Sequence, residues 1–323
     1  MLCLGVEGTA HTFGVGIVDE HHVLANTQHS YMGIGIHPRK AADHHAEYAS
    51  SVVDDALREA HVTLPDIEVF SFSQGPGMGP CLRIAATLVR TLSLKYEKPM
   101  VGVNHCVAHV EVGRWSCGID DPVTLYVSGG NTQIIAYAGE RYRVFGETLD
   151  IGIGNMQDVF GRGLGLSFPC GKEMDEMLAR GSYIPGLPYT VKGMDFGFSG
   201  LLTEAQKRIS SHKKEDIVHS LMMNAYSMVV EATERAMSAT EKTELLLTGG
   251  VAASPKLKEM CGIMAQERGA TFYVPHPSLC RDNGAMIAYQ GLLEYMHGKA
   301  TSLAESRVRQ KWRTDEVDVT WRK

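Results

Sequence analysis

Two histidines four residues apart are the feature of this sequence that most directly suggests chemistry. His105 and His109 are separated by Cys106, Val107 and Ala108. On a helix this spacing places both imidazoles on one face, which is the arrangement of a two-histidine metal site. No carboxylate stands between them, so the general base of the His-Glu-x-x-His protease motif is missing. Because the chain has 14 histidines, a pair of unrelated histidines remains the alternative interpretation.

Two other side chains are candidates to complete such a metal site. Tyr126 lies on a predicted hairpin, and Asp282 lies at the predicted start of a helix. Two imidazoles, a phenolate and a carboxylate form a hard, anionic ligand set. This set favours iron or zinc over a metal that prefers soft ligands.

Two similar glycine-rich hairpins are predicted, over residues 2–18 and 123–137. Each consists of an apolar strand, a polar turn that contains Gly and Thr, and a second apolar strand. Glycine at the tip lets backbone N–H groups approach an anion, because glycine has no Cβ. The repetition predicts two related halves that face a shared cleft, with two unrelated hairpins as the alternative.

Strands followed by glycine-rich loops and helices connect the two hairpins. Residues 39–60 and 216–239 have the apolar periodicity of amphipathic helices. The strand predicted at 67–72 leads through a glycine-rich loop, 73–80, into a helix. This order is typical of an α/β domain, and the loop fits neither the Walker nor the Rossmann spacing.

The second half contains further helix and loop signals. The strand predicted at 244–248 ends at a Gly-Gly turn, after which Ser254 and Pro255 predict the start of a helix. Another helix is predicted from Asp282 to about Met296. The intervening residues 181–199 are rich in Gly and Pro and are predicted to form a long functional loop with short strands.

Composition places the chain among ordinary globular proteins. It has 323 residues, of which 44% are apolar and 21% charged, and its net charge is −6. Such a charge is not the electrostatic signature of a nucleic-acid-binding protein, so a local patch or a partner would have to supply phosphate contacts. The charged C-terminal residues leave open a basic contact to RNA. The seven scattered cysteines, without Cys-x-x-Cys, and the lack of a leader or an apolar span predict a cytoplasmic protein without a membrane anchor.

Long motifs over nearly the whole chain resemble one protein family. They are Val-Glu-Gly-Thr-Ala-His (6–11), Ser-Gln-Gly-Pro-Gly-Met-Gly-Pro (73–80), Gly-Val-Asn-His-Cys-Val-Ala-His (102–109), Tyr-Val-Ser-Gly-Gly-Asn-Thr-Gln (126–133), Lys-Gly-Met-Asp-Phe-Gly-Phe-Ser-Gly (192–200), Thr-Gly-Gly-Val-Ala-Ala (248–253) and Arg-Asp-Asn-Gly-Ala-Met-Ile-Ala (281–288). In this order they are similar to the archaeal and eukaryotic tRNA N6-adenosine threonylcarbamoyltransferases. This family provides the catalytic subunit of the KEOPS complex and was once labelled O-sialoglycoprotein endopeptidase.

The resemblance implies an α/β fold like that of actin, heat-shock chaperones and sugar kinases, with a nucleotide cleft between two duplicated domains. We expect a first domain at 1–122 and a second domain with the nucleotide site at 123–296. Residues 297–323 are expected to form a tail that packs back on the first domain.

The resemblance also implies a reaction and its partners. The L-threonylcarbamoyl group of threonylcarbamoyl-AMP would be transferred to the N6 amine of the adenosine next to the anticodon in ANN-reading tRNAs, with release of AMP. The expected partners are tRNA and KEOPS subunits. Among these is a small atypical protein kinase, which some archaeal relatives carry fused at the C-terminus.

Site residues follow from the same resemblance. One metal ion, with iron expected first and zinc second, would be held by His105, His109, Tyr126 and Asp282. ATP, AMP or threonylcarbamoyl-AMP, with Mg²⁺ as a companion of the nucleotide, would contact Tyr126, Val127, Ser128, Gly129, Gly130, Asn131, Asp158, Gly171, Asp175, Gly249, Gly250 and Ser254. Glu7, Thr9 and His11 are additional candidates, and no general base is assigned.

Two departures from the family pattern affect the nucleotide contacts. Ser254 and the following Pro255-Lys256 replace the Asn and Asn-Arg that relatives usually carry. Ser254 offers one hydroxyl instead of the paired donor and acceptor of an amide. Cys170 precedes Gly171 where relatives have a second glycine, and its side chain restricts the backbone.

Three other functions are weighed against the transferase. An ATP-binding phosphotransferase or ATPase of the same fold would use Glu7 to manage Mg²⁺, but the histidine pair argues against it because Mg²⁺ prefers carboxylates and water. A metalloprotease would need the missing glutamate between the histidines. A non-enzymatic scaffold or nucleic-acid-binding protein conflicts with the acidic net charge unless partners contribute basic surface.

Overall fold

The computed structural model describes residues 1–33, 35 and 37–322, and the chain divides into two compact units. The first unit comprises Met1–Trp115, Gly139–Tyr142 and Asp282–Lys323, and the second comprises Ser116–Ala138 and Arg143–Arg281. The domain limits at 122 and 296 stay predictions, and the tail expected at 297–323 is described as far as Arg322.

The first unit contains a five-stranded sheet. Its elements up to the unit boundary are β1 (Cys3–Glu7), β2 (Thr12–Val18), β3 (Val23–Ser30), α1 (Pro38–Ala60), β4 (Val69–Gly75), α2 (Gly79–Tyr96), β5 (Met100–Asn104) and α3 (His105–Cys117). The strands are ordered β3-β2-β1-β4-β5. The hairpin strands pair antiparallel, and β1, β4 and β5 pair parallel. The hairpin and βα unit predicted from the sequence are therefore confirmed.

The second unit repeats this arrangement. Its elements are β6 (Val123–Val127), β7 (Thr132–Ala138), β8 (Arg141–Glu147), α4 (Ile153–Gly163), α5 (Gly171–Arg180), β9 (Val191–Lys192), β10 (Asp195–Phe196), α6 (Ser199–Arg208), α7 (Lys214–Thr240), β11 (Glu244–Thr248), α8 (Pro255–Glu267), β12 (Thr271–Tyr273) and α9 (Pro277–Cys280). The sheet order is β12-β11-β6-β7-β8. Read from β8, this is the order of the first sheet, with a hairpin followed by two parallel strands. Two related halves follow from this correspondence.

The last helix, α10 (Gly284–Met296), lies in the first unit and packs closely on its sheet. A Cβ added at Gly5 would lie 2.1 Å from the Ala288 backbone nitrogen, and one at Gly16 would lie 2.2 Å from that of Ala285. No side chain fits at such distances, so the helix backbone rests directly on β1 and β2. This contact fixes the residues that open α10.

Helix α6 was not predicted from the sequence. α6 follows the predicted long loop and begins at Ser199. Its first turn is capped by Asp150, whose carboxylate accepts hydrogen bonds from the backbone N–H groups of Phe198 and Ser199, both at 2.9 Å. Because this cap is distant in sequence, no local start signal marked the helix.

The residues after α10 run along the first unit. Backbone groups of this segment bond to Gln74, where Arg309 N donates to the Gln74 carbonyl at 2.7 Å. Among the described residues, no helix is long and apolar enough to cross a lipid bilayer.

Candidate metal centre and nucleotide loops

The histidine pair lies at the start of α3, so its four-residue spacing falls on a helix. Asn104 ends β5, and its side-chain oxygen accepts hydrogen bonds from Cys106 N at 3.0 Å and Val107 N at 3.2 Å. This N-cap begins the helix directly after the strand. His105 and His109 are therefore one turn apart and both buried, with 3% and 0% of their surface exposed.

Asp282 joins the two histidines in one cluster. Its Oδ1 lies 3.5 Å from His105 Nε2 and 3.3 Å from His109 Nε2. The candidate ligand atoms of the three residues all lie within 4.8 Å of one another. Among the described residues, this is the group of His, Cys, Asp and Glu side chains whose ligand atoms converge. The structure thus brings together three of the four side chains named from the sequence.

The start of α10 holds Asp282 in place. Asn283 is the N-cap of α10, and its side-chain oxygen accepts from Met286 N at 3.0 Å. A Cβ added at Gly284 would lie 2.1 Å from Gly16 N, so the first turn of the helix is pressed against β2. The carboxylate that precedes this turn has little freedom to move.

A second carboxylate supports the cluster from the opposite side of the His105 ring. The Nδ1 atom of His105 lies 3.0 Å from Glu7 Oε2. Glu7 also accepts hydrogen bonds from the Thr9 backbone N–H, at 2.7 Å, and from the Thr9 hydroxyl. When Nδ1 carries the proton and donates a hydrogen bond to Glu7, Nε2 is unprotonated. Its lone pair can then bind a metal ion on the Asp282 side of the ring. This is the carboxylate–histidine arrangement that orients metal ligands.

The other additional candidate, His11, lies in the turn between β1 and β2. Its carbonyl accepts a hydrogen bond from Tyr31 N at 2.8 Å, and its side chain is not a member of the convergent group. Glu7 and Thr9 therefore contact the cluster, whereas His11 does not belong to it.

Burial and charge act in opposite directions within the cluster. Burial raises the pKa of Asp282, but the neighbouring His105 and His109 outweigh it and hold this pKa well below its usual range. Burial also lowers the pKa of His109. The cluster thus offers an ionised carboxylate and a neutral imidazole, which are the protonation states that metal ions bind. The donor set fits a divalent ion.

Tyr126 lies near the C-terminal end of β6, the central strand of the sheet in the second unit. It is completely buried and pairs across the sheet with Gln133 and Thr248. Its assignment as the fourth ligand stays a prediction.

Hydrogen bonds close the turn at 128–131 and join it to the following helix. Ser128 N donates to Asn131 O at 2.7 Å, and Asn131 N donates to Ser128 Oγ at 3.0 Å. The carbonyls of Ser128 and Gly129 accept from the first turn of α4 at 3.1 Å. Gly129 and Gly130 are exposed, and a Cβ added at Gly130 would meet nothing within 4 Å. An open glycine tip next to a helix start is suited to an anion.

Two further hydrogen bonds in the second unit involve residues that are predicted to bind the nucleotide. Ser254 Oγ donates to Asp175 Oδ1 at 2.6 Å, and burial raises the pKa of Asp175. Ser254 is the N-cap position of α8, as predicted, but its hydroxyl bonds to Asp175 and not to the helix. The second contact joins Cys170 N to Asp158 Oδ1 at 3.0 Å, directly before Gly171.

A cavity of about 400 Å³ adjoins the first of these contacts. It is lined by Asp175, Leu178, Ala179, His219, Pro255, Lys256 and Glu259. His219 and Lys256 were not predicted as site residues, because neither stands in a glycine-rich motif. Gly249 closes the neighbouring turn with φ +99°, and its Cβ position lies 2.2 Å from Val127 O, so a side chain there would be strained and would clash.

Comparisons with known proteins complete this description. A family model described as tRNA N6-adenosine threonylcarbamoyltransferase matches residues 18–289. A protein of that name from Thermococcus gammatolerans is 54% identical over 326 residues, covering 99% of this chain and 100% of the relative. A probable bifunctional tRNA threonylcarbamoyladenosine biosynthesis protein from Methanothermobacter thermautotrophicus is 50% identical, covering 99% of this chain and 61% of the relative.

A solved structure supports the fold class. The activator of 2-hydroxyisocaproyl-CoA dehydratase from Clostridium difficile with bound ADPNP has a TM-score of 0.54 at 12% identity, covering 92% of this chain and 96% of that chain. With the two matching sheets, this confirms the predicted fold of the actin, heat-shock chaperone and sugar kinase class.

Proposed function

The chain belongs to the tRNA N6-adenosine threonylcarbamoyltransferase family, and we propose that its reaction depends on a metal ion held by His105, His109 and Asp282. The chain transfers a threonylcarbamoyl group to the N6 amine of adenosine in tRNA. The observation that carries the metal proposal is the convergence of the three ligand atoms within 4.8 Å, with Glu7 bonded to the far side of His105.

The ligand chemistry supports a hard or borderline metal. Two imidazoles and a carboxylate suit iron or zinc, with iron preferred and zinc as the second choice. Tyr126 is the proposed fourth ligand, which would add a phenolate oxygen. One ion per chain is expected, and Mg²⁺ would accompany the nucleotide separately.

The proposed donor is threonylcarbamoyl-AMP, and the acceptor is the adenosine next to the anticodon of ANN-reading tRNAs. The N6 nitrogen attacks the carbamoyl carbon, the bond from that carbon to the phosphate oxygen breaks, and AMP leaves while N6 loses a proton. When bound, the metal would supply a Lewis acid for an oxygen of the donor. Because an adenosine amine is a weak nucleophile, positioning of the two substrates contributes more than a strong base.

The residues of the second unit would bind the adenylate. The exposed glycine tip at 128–131 would present backbone N–H groups to the phosphate. Asp175 and Ser254, already bonded to each other, would contact the ribose, and Asp158, Gly171, Gly249 and Gly250 would complete the site. The dehydratase activator, which shares the fold, contains ADPNP.

We further propose that the chain works in the cytoplasm with KEOPS subunits, because its substrate is a tRNA. The bifunctional relative is longer than this chain. A small atypical protein kinase, separate or fused, is the partner expected from the family resemblance.

Nucleoside analysis tests the proposal. The protein is mixed with a threonylcarbamoyl-AMP-forming enzyme, threonine, bicarbonate, ATP, unmodified tRNA and KEOPS subunits, and the digested tRNA is examined for threonylcarbamoyladenosine by mass spectrometry. The product is expected with the wild type and lost with His109→Ala. Product that survives this substitution would overturn the metal proposal alone. ATP hydrolysis without product would instead favour the phosphotransferase alternative.

A further inference from the structure

A basic segment stands out in the C-terminal part of this acidic chain. Residues 307–313 read Arg-Val-Arg-Gln-Lys-Trp-Arg and contain four cations without an acidic residue, although the net charge of the chain is −6. All four cations are exposed, whereas Ser306, Trp312 and Thr314 are buried between and beside them. The segment therefore turns its charged side chains to solvent.

Buried side-chain amides hold the backbone of this segment in place. Gln74 Nε2 donates to the carbonyls of Glu305, at 2.7 Å, and Arg307, at 2.8 Å. Arg309 N in turn donates to Gln74 O at 2.7 Å, and Gly77 N donates to Gln310 O at 3.2 Å. The cations are thus presented from a fixed main chain, which reduces the entropy lost when they bind a ligand.

A further amide connects the segment to the metal centre of the same unit. Asn104 is completely buried, and its Nδ2 donates to the carbonyls of Trp312 at 3.3 Å and Arg313 at 3.4 Å. The residue that caps α3 directly before His105 therefore also holds the end of the basic segment. The basic segment therefore lies on the same unit as the proposed metal ligands, and Asn104 joins its end to the start of α3.

Two of the four cations form ion pairs with nearby acidic residues. Arg309 lies over the Trp312 ring, 4.2 Å from its centre, and pairs with Glu316 at 3.2 Å. Arg313 pairs with Asp315 at 3.1 Å. These pairs are largely exposed and hence weak. Arg307 and Lys311 make no ion pair with any residue in the described part of the chain.

We propose that Arg307, Arg309, Lys311 and Arg313 form a phosphate-binding strip for the backbone of the tRNA substrate. The inference rests on the proposed function, since it assumes an RNA acceptor. Guanidinium groups bind phosphate oxygens in pairs, and Lys311 adds a point charge. Phosphate groups are the same at every nucleotide, so contacts to them position the tRNA without reading its sequence.

A pair of matched double variants tests the strip. Arg307→Ala/Lys311→Ala removes two exposed cations of the strip. Lys207→Ala/Lys213→Ala removes two exposed cations from α6 and the residue before α7, so both double variants change the net charge equally. The Kd of each protein for unmodified tRNA is measured between about 50 and 200 mM salt.

The strip variant should bind tRNA about tenfold more weakly at the lowest salt concentration, and the slope of log affinity against log salt should fall by about 2. The control variant should stay within about twofold of the wild type, as expected for cations without a phosphate contact. In the complete reaction, the strip variant should raise KM for tRNA and leave kcat at saturating tRNA unchanged. Arg307→Lys should retain the wild-type slope, because it keeps the charge.

The outcomes separate this inference from the proposed function. The wild type can form threonylcarbamoyladenosine while the two double variants bind tRNA equally. In that case the proposal of a phosphate-binding strip is wrong, and the proposed function stands. Equal salt slopes in the wild type and the strip variant would overturn the inference in the same way. If the wild type forms no product, the function fails regardless of the strip. Arg307→Gln/Lys311→Gln repeats the test should the alanine variant unfold.

Discussion

Two groups of histidines in the first unit bring imidazole rings close together but differ in their surroundings. The candidate metal centre contains His105 and His109, whereas a second group on β3 and α1 contains His29, His44 and His45. In the second group, His29 Nδ1 lies 3.0 Å from His44 Nε2. This is closer than the 3.3 Å between His109 Nε2 and Asp282 Oδ1. Proximity of imidazoles therefore does not distinguish the two groups.

The surroundings of the rings make the difference. Carboxylates contact both ring nitrogens of His105, through Glu7 and Asp282, and Asp282 also contacts His109. In the second group, His29 stacks on Tyr48 with ring centres 3.7 Å apart, and His45 Nε2 lies 3.1 Å from the Ala10 carbonyl. Across residues 1–33, 35 and 37–322, no carboxylate hydrogen-bonds to these three histidines. Carboxylates at the ring nitrogens therefore distinguish the candidate metal centre from the second group better than the distance between imidazoles does.

The largest contrast is expected between His109→Ala and His44→Ala. Removal of His109 deletes a proposed ligand, so metal affinity should fall more than about 100-fold, beyond the usual effect of losing a supporting residue, and product formation should cease. His44→Ala should leave both unchanged. Metal content by mass spectrometry and nucleoside analysis provide the readouts. Equal metal content in the two variants would remove the distinction between the groups.

Glu7→Gln tests one of the carboxylates that distinguish the two groups, because it removes the charge of the Glu7 side chain and preserves its shape. The amide oxygen can still accept from His105 Nδ1, but it no longer stabilises a polarised imidazole. Metal affinity should therefore fall about 10- to 100-fold, as for other residues that support a ligand. Competition with a chelator measures this, and Thr9→Val is a control that keeps the carboxylate. An affinity equal to that of the wild type would show that Glu7 has only a packing role.

Gly5→Ala tests how closely α10, which follows Asp282, packs on the sheet. The added methyl group would collide with the Ala288 backbone, and we expect a loss of about 3 kcal/mol in the free energy of unfolding. Gly163→Ala is the control, because its Cβ would meet only Ile209 at an ordinary 3.8 Å. Urea denaturation compares the two variants. Similar stabilities would mean that the helix can shift without cost.

The smallest effect concerns protonation of the second group. Burial, His44 and His11 lower the pKa of His45 from 6.5 to about 4, although the hydrogen bond to Ala10 opposes them. Between these values the unfolded chain binds the proton and the folded chain does not, so stability falls as pH drops through this window. The loss from pH 7 to pH 5 should be about 2 kcal/mol.

Urea midpoints for the wild type and His45→Leu at the two pH values measure this contribution. The variant should show a smaller loss of stability on acidification than the wild type. An identical pH dependence would indicate that His45 binds its proton as readily in the folded protein as in the unfolded chain.

The sequence was sufficient for most of the framework. The two hairpins were predicted from apolar strands around glycine-rich turns, and the helix starts at Ser254–Pro255 and near Asp282 from residues that commonly begin helices. These signals are local, since each depends on residues within a few positions of one another. The resemblance to a family supplied the fold class, which the comparisons confirm.

Interactions between distant residues could not be derived in this way. Glu7 and His105 are bonded because β1 and β5 flank β4 in the sheet, and no spacing rule encodes that neighbourhood. The Ser254 hydroxyl would be expected to cap α8, yet it bonds to Asp175. Helix α6 escaped notice because its cap, Asp150, comes from a different segment.

Anomalous diffraction from crystals of the metal-loaded protein tests the central claim most directly. Data collected at the absorption edge of the bound metal should show one strong peak bounded by His105 Nε2, His109 Nε2 and an Asp282 carboxylate oxygen. A main peak at His29 and His44, or at the cysteines, with none at the three proposed ligands would contradict the account.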